Sequence, residues 1–144
     1  MGDYRIRMQF DVEADQATIR EALTTPEGIA AWWSDTVKGD PAAEGGDLYV
    51  SFPDVPQPFH FRAGLVAGQV SWTTQEFPPW WQDTTIRWSL EAQPEGSGTR
   101  LLFTHEGFDP DAEIVPIITP AWAGIIGRLK HYAETGEADP FARS

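Results

Sequence analysis

Cysteine is absent from the 144 residues and methionine occurs only twice. Disulfide and thiolate chemistry are therefore excluded, and a reducing compartment is permitted. No apolar run approaches the roughly 20 residues needed to span a bilayer. The opening "MGDYRIRMQF" has no basic segment followed by an apolar one, so neither a membrane helix nor a signal peptide is expected, and the predicted location is cytoplasmic. Cations are scarce as well: ten Lys and Arg stand against 22 Asp and Glu, a formal net charge of -12. That balance repels phosphate backbones and anionic lipid surfaces, so nucleic acid and membranes are not expected partners, and the acidity itself serves solubility. The three histidines are scattered, and no HExxH, GxSxG or GxxxxGK[ST] pattern occurs. No metal, cofactor or catalytic set is expected from such a chain.

What is plentiful is tryptophan: seven residues, four of them in the adjacent pairs Trp32-Trp33 and Trp80-Trp81. The chain is long enough for one domain over 1–144 with a continuous core. From Tyr4 to Glu13 apolar and polar residues alternate strictly, which predicts a half-buried strand. Asp15 then suits the N-cap of a short helix ending near Thr24. Thr25, Pro26 and Glu27 open a second helix that should carry the first tryptophan pair. Helical neighbours point about 100 degrees apart, so one of Trp32 and Trp33 is expected in the core and the other at a rim or wall.

Strands follow through Leu48, Val50 and Phe52, then through Phe59 and Phe61 opposite His60 and Arg62, which places His60 in solvent. "LVAGQVSWTTQEF" makes another strand through Val70 and Trp72. "PPWWQD" interrupts, since proline cannot donate to a sheet ladder. Ile86, Trp88 and Leu90 share one face of the next strand; after the turn "QPEGSGT", Leu101, Phe103 and His105 share one face of the last. Thr119 is the expected cap of the final helix and Pro120 its first residue, with Trp122, Ile125, Ile126, Leu129 and Tyr132 as the apolar stripe and Gly136 as the stop. His131 and Glu134 lie three apart there as a solvated pair. The order is strand, two short helices, about six antiparallel strands and one longer helix. It predicts an α+β fold in which a curved antiparallel sheet wraps around the C-terminal helix, with a potential cavity between them.

The segments "ALTTPEGIAAWWSD", "VSWTTQEFPPWWQDTTIRWSL", "GTRLLFTHEGF" and "WAGIIGRLKHYAETGEADPF" resemble, in order and nearly end to end, the family named for the activator of the heat-shock-protein 90 ATPase. That family is similar in fold to the START-like, or SRPBCC, superfamily with its helix-grip architecture. The resemblance implies a cavity for a hydrophobic or aromatic small molecule, and some relatives of the superfamily are enzymes such as polyketide cyclases.

The residues expected to wall such a cavity are Trp33, Trp72, Trp88, Phe103 and Trp122, with Trp80 at its mouth and His105 as a polar anchor. Each of these rings also has a plain alternative as core filling. Noncatalytic binding of a small hydrophobic or aromatic ligand is the leading expectation. A cyclase or hydrolase acting on a polyketide-like substrate through His105, or a co-chaperone-like interaction module, is the alternative, and a homodimer is allowed.

Overall fold

The computed structural model describes residues 2–66 and 69–144. Seven strands form one antiparallel sheet in the order β1-β7-β6-β5-β4-β3-β2. They are β1 (Tyr4–Val12), β2 (Thr36–Gly39), β3 (Asp47–Ser51), β4 (Phe59–Val66), β5 (Gln69–Thr74), β6 (Thr85–Ala92) and β7 (Thr99–Phe108). Helices α1 (Gln16–Thr24) and α2 (Pro26–Ala30) follow β1, and the long α3 (Val115–Thr135) follows β7. The predicted element order and fold class are those of the structure. The sixth strand after the helices is β2, four residues whose length is too short for periodicity to single out.

Sequence signals set most boundaries. Asp15 accepts from the Thr18 amide at 2.8 Å and Thr25 from the Gly28 amide at 2.9 Å, so each satisfies one of the orphan donors of a helix start. Gly136 ends α3 in the left-handed conformation (φ 79°), which lets its amide reach the Tyr132 carbonyl at 2.8 Å. Along β6 and β7 the inward residues Ile86, Trp88, Leu90, Leu101, Phe103 and His105 are all buried. The β6–β7 register sets Trp88 beside Phe103 and Ile86 beside His105. Together with Trp122, Ile125, Ile126 and Leu129 of α3 they form the core.

Several expectations need correction. The last helix begins at Val115 rather than behind a Thr119 cap; Thr119 donates instead to the Val115 carbonyl at 2.6 Å, and Pro120 sits inside the helix. Pro116, in the first turn, is the proline placed where a missing N–H costs nothing. Secondly, Leu65 and Val66 extend β4; within the expected strand "LVAGQVSWTTQEF" Ala67 and Gly68 lie outside the described residues, and β5 starts at Gln69.

Thirdly, His60 is buried, not solvated: Asp47 takes its Nε2 at 2.8 Å and Glu76 its Nδ1 at 2.8 Å, while Tyr49 stacks on the ring at 4.4 Å. Those hydrogen bonds from His60 also hold the Asp47 carboxyl below its ordinary range, and Glu76 is lowered by its own backbone amide and by His60. His131, finally, meets Glu137 at 3.1 Å, whereas Glu134 binds Lys130 at 2.7 Å and the Glu13 amide at 2.8 Å.

The tryptophan pair of the second helix also departs from expectation. Helix α2 stops at Ala30, so Trp32 and Trp33 lie in the turn beyond it, where helical spacing no longer separates their directions. Both are buried, at 0% and 2% exposure. Their backbone carbonyls, freed by the end of the helix, are taken by the C-terminal segment. Asp139 donates to the Ala31 carbonyl (2.9 Å), Phe141 to Trp32 (3.0 Å) and Ala142 to Trp33 (2.9 Å). Ser34 and Ala142 close the contact as a parallel bridge.

Candidate functional site

Every tryptophan but Trp80 joins one aromatic cluster between the sheet and α3. Trp33 stacks on Trp72 with centroids 5.8 Å apart and planes 5° from parallel, and Trp32 stacks on both (6.1 and 6.3 Å). Trp88 meets Trp72 edge-on at 5.4 Å and Trp32 at 5.6 Å. Trp122, brought in by α3, lies against Trp33 at 5.3 Å, Phe103 at 4.7 Å and Trp81 at 5.9 Å. Offset-stacked and edge-on pairs are the favoured geometries of aromatic quadrupoles, so these contacts add to what burial alone contributes.

The indole N–H groups divide. Trp32 donates to the Ala22 carbonyl at 2.9 Å, whereas the buried Nε1 atoms of Trp72, Trp81 and Trp88 have no hydrogen-bond partner among the described residues. Trp122 donates to His105 Nδ1 at 3.1 Å. An indole nitrogen can only donate, so Nδ1 is the bare nitrogen and Nε2 carries the proton. That proton points to Thr84 Oγ1 at 3.0 Å, and Thr84 in turn donates to the Trp81 carbonyl at 2.6 Å. Both nitrogens of His105 are thus spent inside the protein. With no charged partner and full burial, desolvation lowers its pKa to about 3 and the ring stays neutral.

The cluster does not close completely. A cleft of about 140 Å³ opens to solvent between the turn, the sheet and the helix. Trp33 and Trp81 form its back, Phe52 and Phe59 its sheet side, and Ile118, Ala121, Trp122 and Ile125 its helix side. No lining side chain titrates. What the cleft offers chemically is desolvation and dispersion, with no acid, base or nucleophile on its walls. Among the described residues no group of three His, Asp or Glu converges to hold a metal.

Of the residues expected from the sequence, the structure brings Trp33 and Trp122 to the cleft. Trp72, Trp88, Phe103 and His105 stand behind that wall, fully buried, and Trp80 is 45% exposed, edge-on to Phe59 and Phe77. Trp81, its neighbour, is the buried member of that pair and the one on the cleft. Sequence reasoning missed Phe52, Phe59, Trp81, Ile118, Ala121 and Ile125 as lining residues. The alternation of β3 and β4 already set both phenylalanines inward, and the signal for Ile118 was lost when the helix start was placed after it.

The sequence profile of the family described as activator of Hsp90 ATPase homologue 1-like protein matches residues 13–134. No curated protein matches the sequence. Among solved structures the fold is similar to that of the Aha1 dimer from Colwellia psychrerythraea, with a TM-score of 0.79 at 24% identity over 92% of this chain and 98% of that one. It is similar also to the protein SSP2350 from Staphylococcus saprophyticus (TM-score 0.75, 19% identity, 98% of both chains). A third is DynU16, a protein of the dynemicin biosynthetic locus, with a TM-score of 0.77 and 21% identity over 99% of this chain and 51% of that one.

Proposed function

The chain belongs to the activator of Hsp90 ATPase homologue 1-like family, and from that membership we propose that its whole length acts as one START-like unit that binds a small apolar group, without chemistry, in the cleft between sheet and α3. The observation that carries this reading is a solvent-open notch whose every wall is aromatic or aliphatic, left in a core that is otherwise tightly stacked. Exposed apolar concavities are unfavourable in water unless something fills them.

Size selects among ligands. The notch is close to the roughly 150 Å³ of an engineered cavity that accepts benzene and well below the roughly 300 to 1,000 Å³ of sites that enclose drug-sized molecules. A single ring or the end of an acyl chain fills it, whereas a polycyclic polyketide would leave most of its surface outside. Burying on the order of 150 Å² of such a group is worth roughly 4 kcal/mol at about 25 cal/mol per Å². Affinity is then expected between millimolar and micromolar. A cyclase or hydrolase reading would need an acid or base at the notch, and His105, the candidate for that role, has both nitrogens bound and faces Trp81 and Trp122 from behind.

Tryptophan fluorescence tests the proposal, because Trp33, Trp81 and Trp122 border the site. Toluene, indole and medium-chain fatty acids are titrated into the wild type and into Ala121→Phe, which fills the notch from a half-buried helix position. Saturable quenching in the wild type that disappears in the folded variant supports the assignment. No saturable response, or one that survives Ala121→Phe, overturns it. Self-association, which the Colwellia neighbour displays, is included in the proposal as a homodimer and is read by sedimentation velocity.

A further inference from the structure

On the opposite face of the same sheet, the register of three adjacent strands sets Arg7 of β1, Thr104 of β7 and Arg87 of β6 in one row. Alternation along the strands points these side chains away from the tryptophan cluster, since their neighbours Ile6, Phe103 and Trp88 are core. A groove of about 460 Å³ runs over this row, bordered also by Arg5, Gln69, Ser89 and one carboxylate, Glu106. Its position makes it independent of the apolar cleft.

We propose that this groove is a binding site for a small oxyanion carrying two negative charges, a phosphate monoester or a dicarboxylate, held between the guanidinium groups of Arg7 and Arg87 over the Thr104 hydroxyl. Three observations support it. First, the charge is out of keeping with the chain: Arg5, Arg7 and Arg87 are three of only ten cations in a protein of net charge -12. Secondly, the sheet face pairs its other arginines, Arg100 with Asp11 and Arg62 with Asp47, each across neighbouring strands at 3.4 Å. Arg87 contacts Glu106, which the register also sets opposite Arg5, but among the described residues neither Arg5 nor Arg7 makes an ion pair, so one carboxylate serves three guanidinium groups. Cations gathered on neighbouring strands repel one another unless something neutralises them. Thirdly, Thr104 Oγ1, at the centre of the row, is buried and lacks a hydrogen-bond partner among the described residues, a state that native structures rarely leave unfilled.

The spacing suits the ligand. Strands lie about 4.8 Å apart, so the backbones of Arg7 and Arg87 are separated by roughly 10 Å across β7, and two flexible arms of that separation converge on one anion. Each guanidinium presents paired donors that match two oxygens of a phosphate or carboxylate. The Thr104 hydroxyl adds a donor from below, and the Gln69 amide, which donates to Ser89 Oγ at 3.2 Å, lies at the rim. Glu106 draws on Arg87 and leaves Arg7 as the stronger electrostatic attractor.

The test is a titration of the intact protein with inorganic phosphate and, separately, with malonate at neutral pH, followed by amide chemical shifts. The proposal expects saturable shifts centred on Arg7, Thr104 and Arg87. Arg7→Gln should weaken binding about tenfold, as loss of a charge-assisted pair does. Thr104→Val, which keeps the charge and the shape, should weaken it several-fold, whereas Arg100→Gln on the same face should leave it unchanged. Saturation by phosphate alone assigns a phosphate ester, by malonate alone a dicarboxylate, and either one supports the site. Shifts spread evenly over Arg62, Arg100 and Lys38, absence of saturation below roughly 20 mM, or affinity untouched by both Arg7→Gln and Thr104→Val would overturn it.

Discussion

Burial strips His105 of the hydration an imidazolium needs, and the surrounding donors fix it in one neutral tautomer. The consequence for stability follows from linkage. Its folded pKa, lowered to about 3, lies under the ordinary 6.5, so between those values the unfolded chain binds a proton that the folded chain refuses. Stability from this group is complete above about pH 6.5 and falls as the pH drops towards 3, by up to about 1.4 kcal/mol per pH unit. Carboxylates such as Glu76 and Asp47, whose pKa values are lowered from 4.5 and 3.8, begin to add their own loss below about pH 4.5, in the lower part of the same window. Chemical denaturation between pH 7 and pH 5 should therefore show a decline in the wild type that is much shallower in His105→Asn, since His60 and His131 are common to both. Equal slopes would remove His105 from the account. At the same scale, Thr84→Val leaves the Nε2 proton of His105 without an acceptor and should cost about 1 to 3 kcal/mol, measured by the same unfolding curves.

Helix α3 contains a proline that the sequence pattern placed at its beginning. Pro120 is exposed and stands in the sixth position, where its ring removes the bond to the Pro116 carbonyl. Pro120→Ala restores that donor. Against it stands the greater freedom of the unfolded chain, worth about 0.4 to 1 kcal/mol, so a net gain of about 1 to 2 kcal/mol and a Tm higher by several degrees are expected. A lowered Tm in a calorimetric scan would mean that Pro120 is required for packing at the mouth of the cleft. This element also marks how far sequence reasoning reaches. Caps at Asp15 and Thr25, the stop at Gly136 and the inner faces of β6 and β7 are local signals, and each stands in the structure. The cleft is not local: its walls come from residues 33, 52, 59, 81 and 118–125, and only their packing decides where a gap remains. Likewise the alternation of β1 and β6 sent Arg5, Arg7 and Arg87 outward, but their meeting depends on β7 lying between those strands.

For the molecule as a whole, a net charge of -12 on 144 residues means that folding brings like charges together. The Debye length shrinks from about 20 Å near 0.02 M salt to a few ångströms near 0.5 M. Thermal unfolding should consequently shift upward by several degrees over that range in sodium chloride, and a flat response would show that the ion pairs lost to screening offset the relief of repulsion. No described helix is long and apolar enough to cross a membrane. The sheet's two faces have opposite characters, an indole-lined notch beneath the last helix and a cationic row on the outside, so occupancy of one need not disturb the other. The segment after α3 links the ends of this arrangement, because its backbone holds the carbonyls of Ala31, Trp32 and Trp33. Cleavage of the backbone ahead of Phe141 would consequently act on the indole shelf from a distance, loosening the back of the notch before any side chain there is touched.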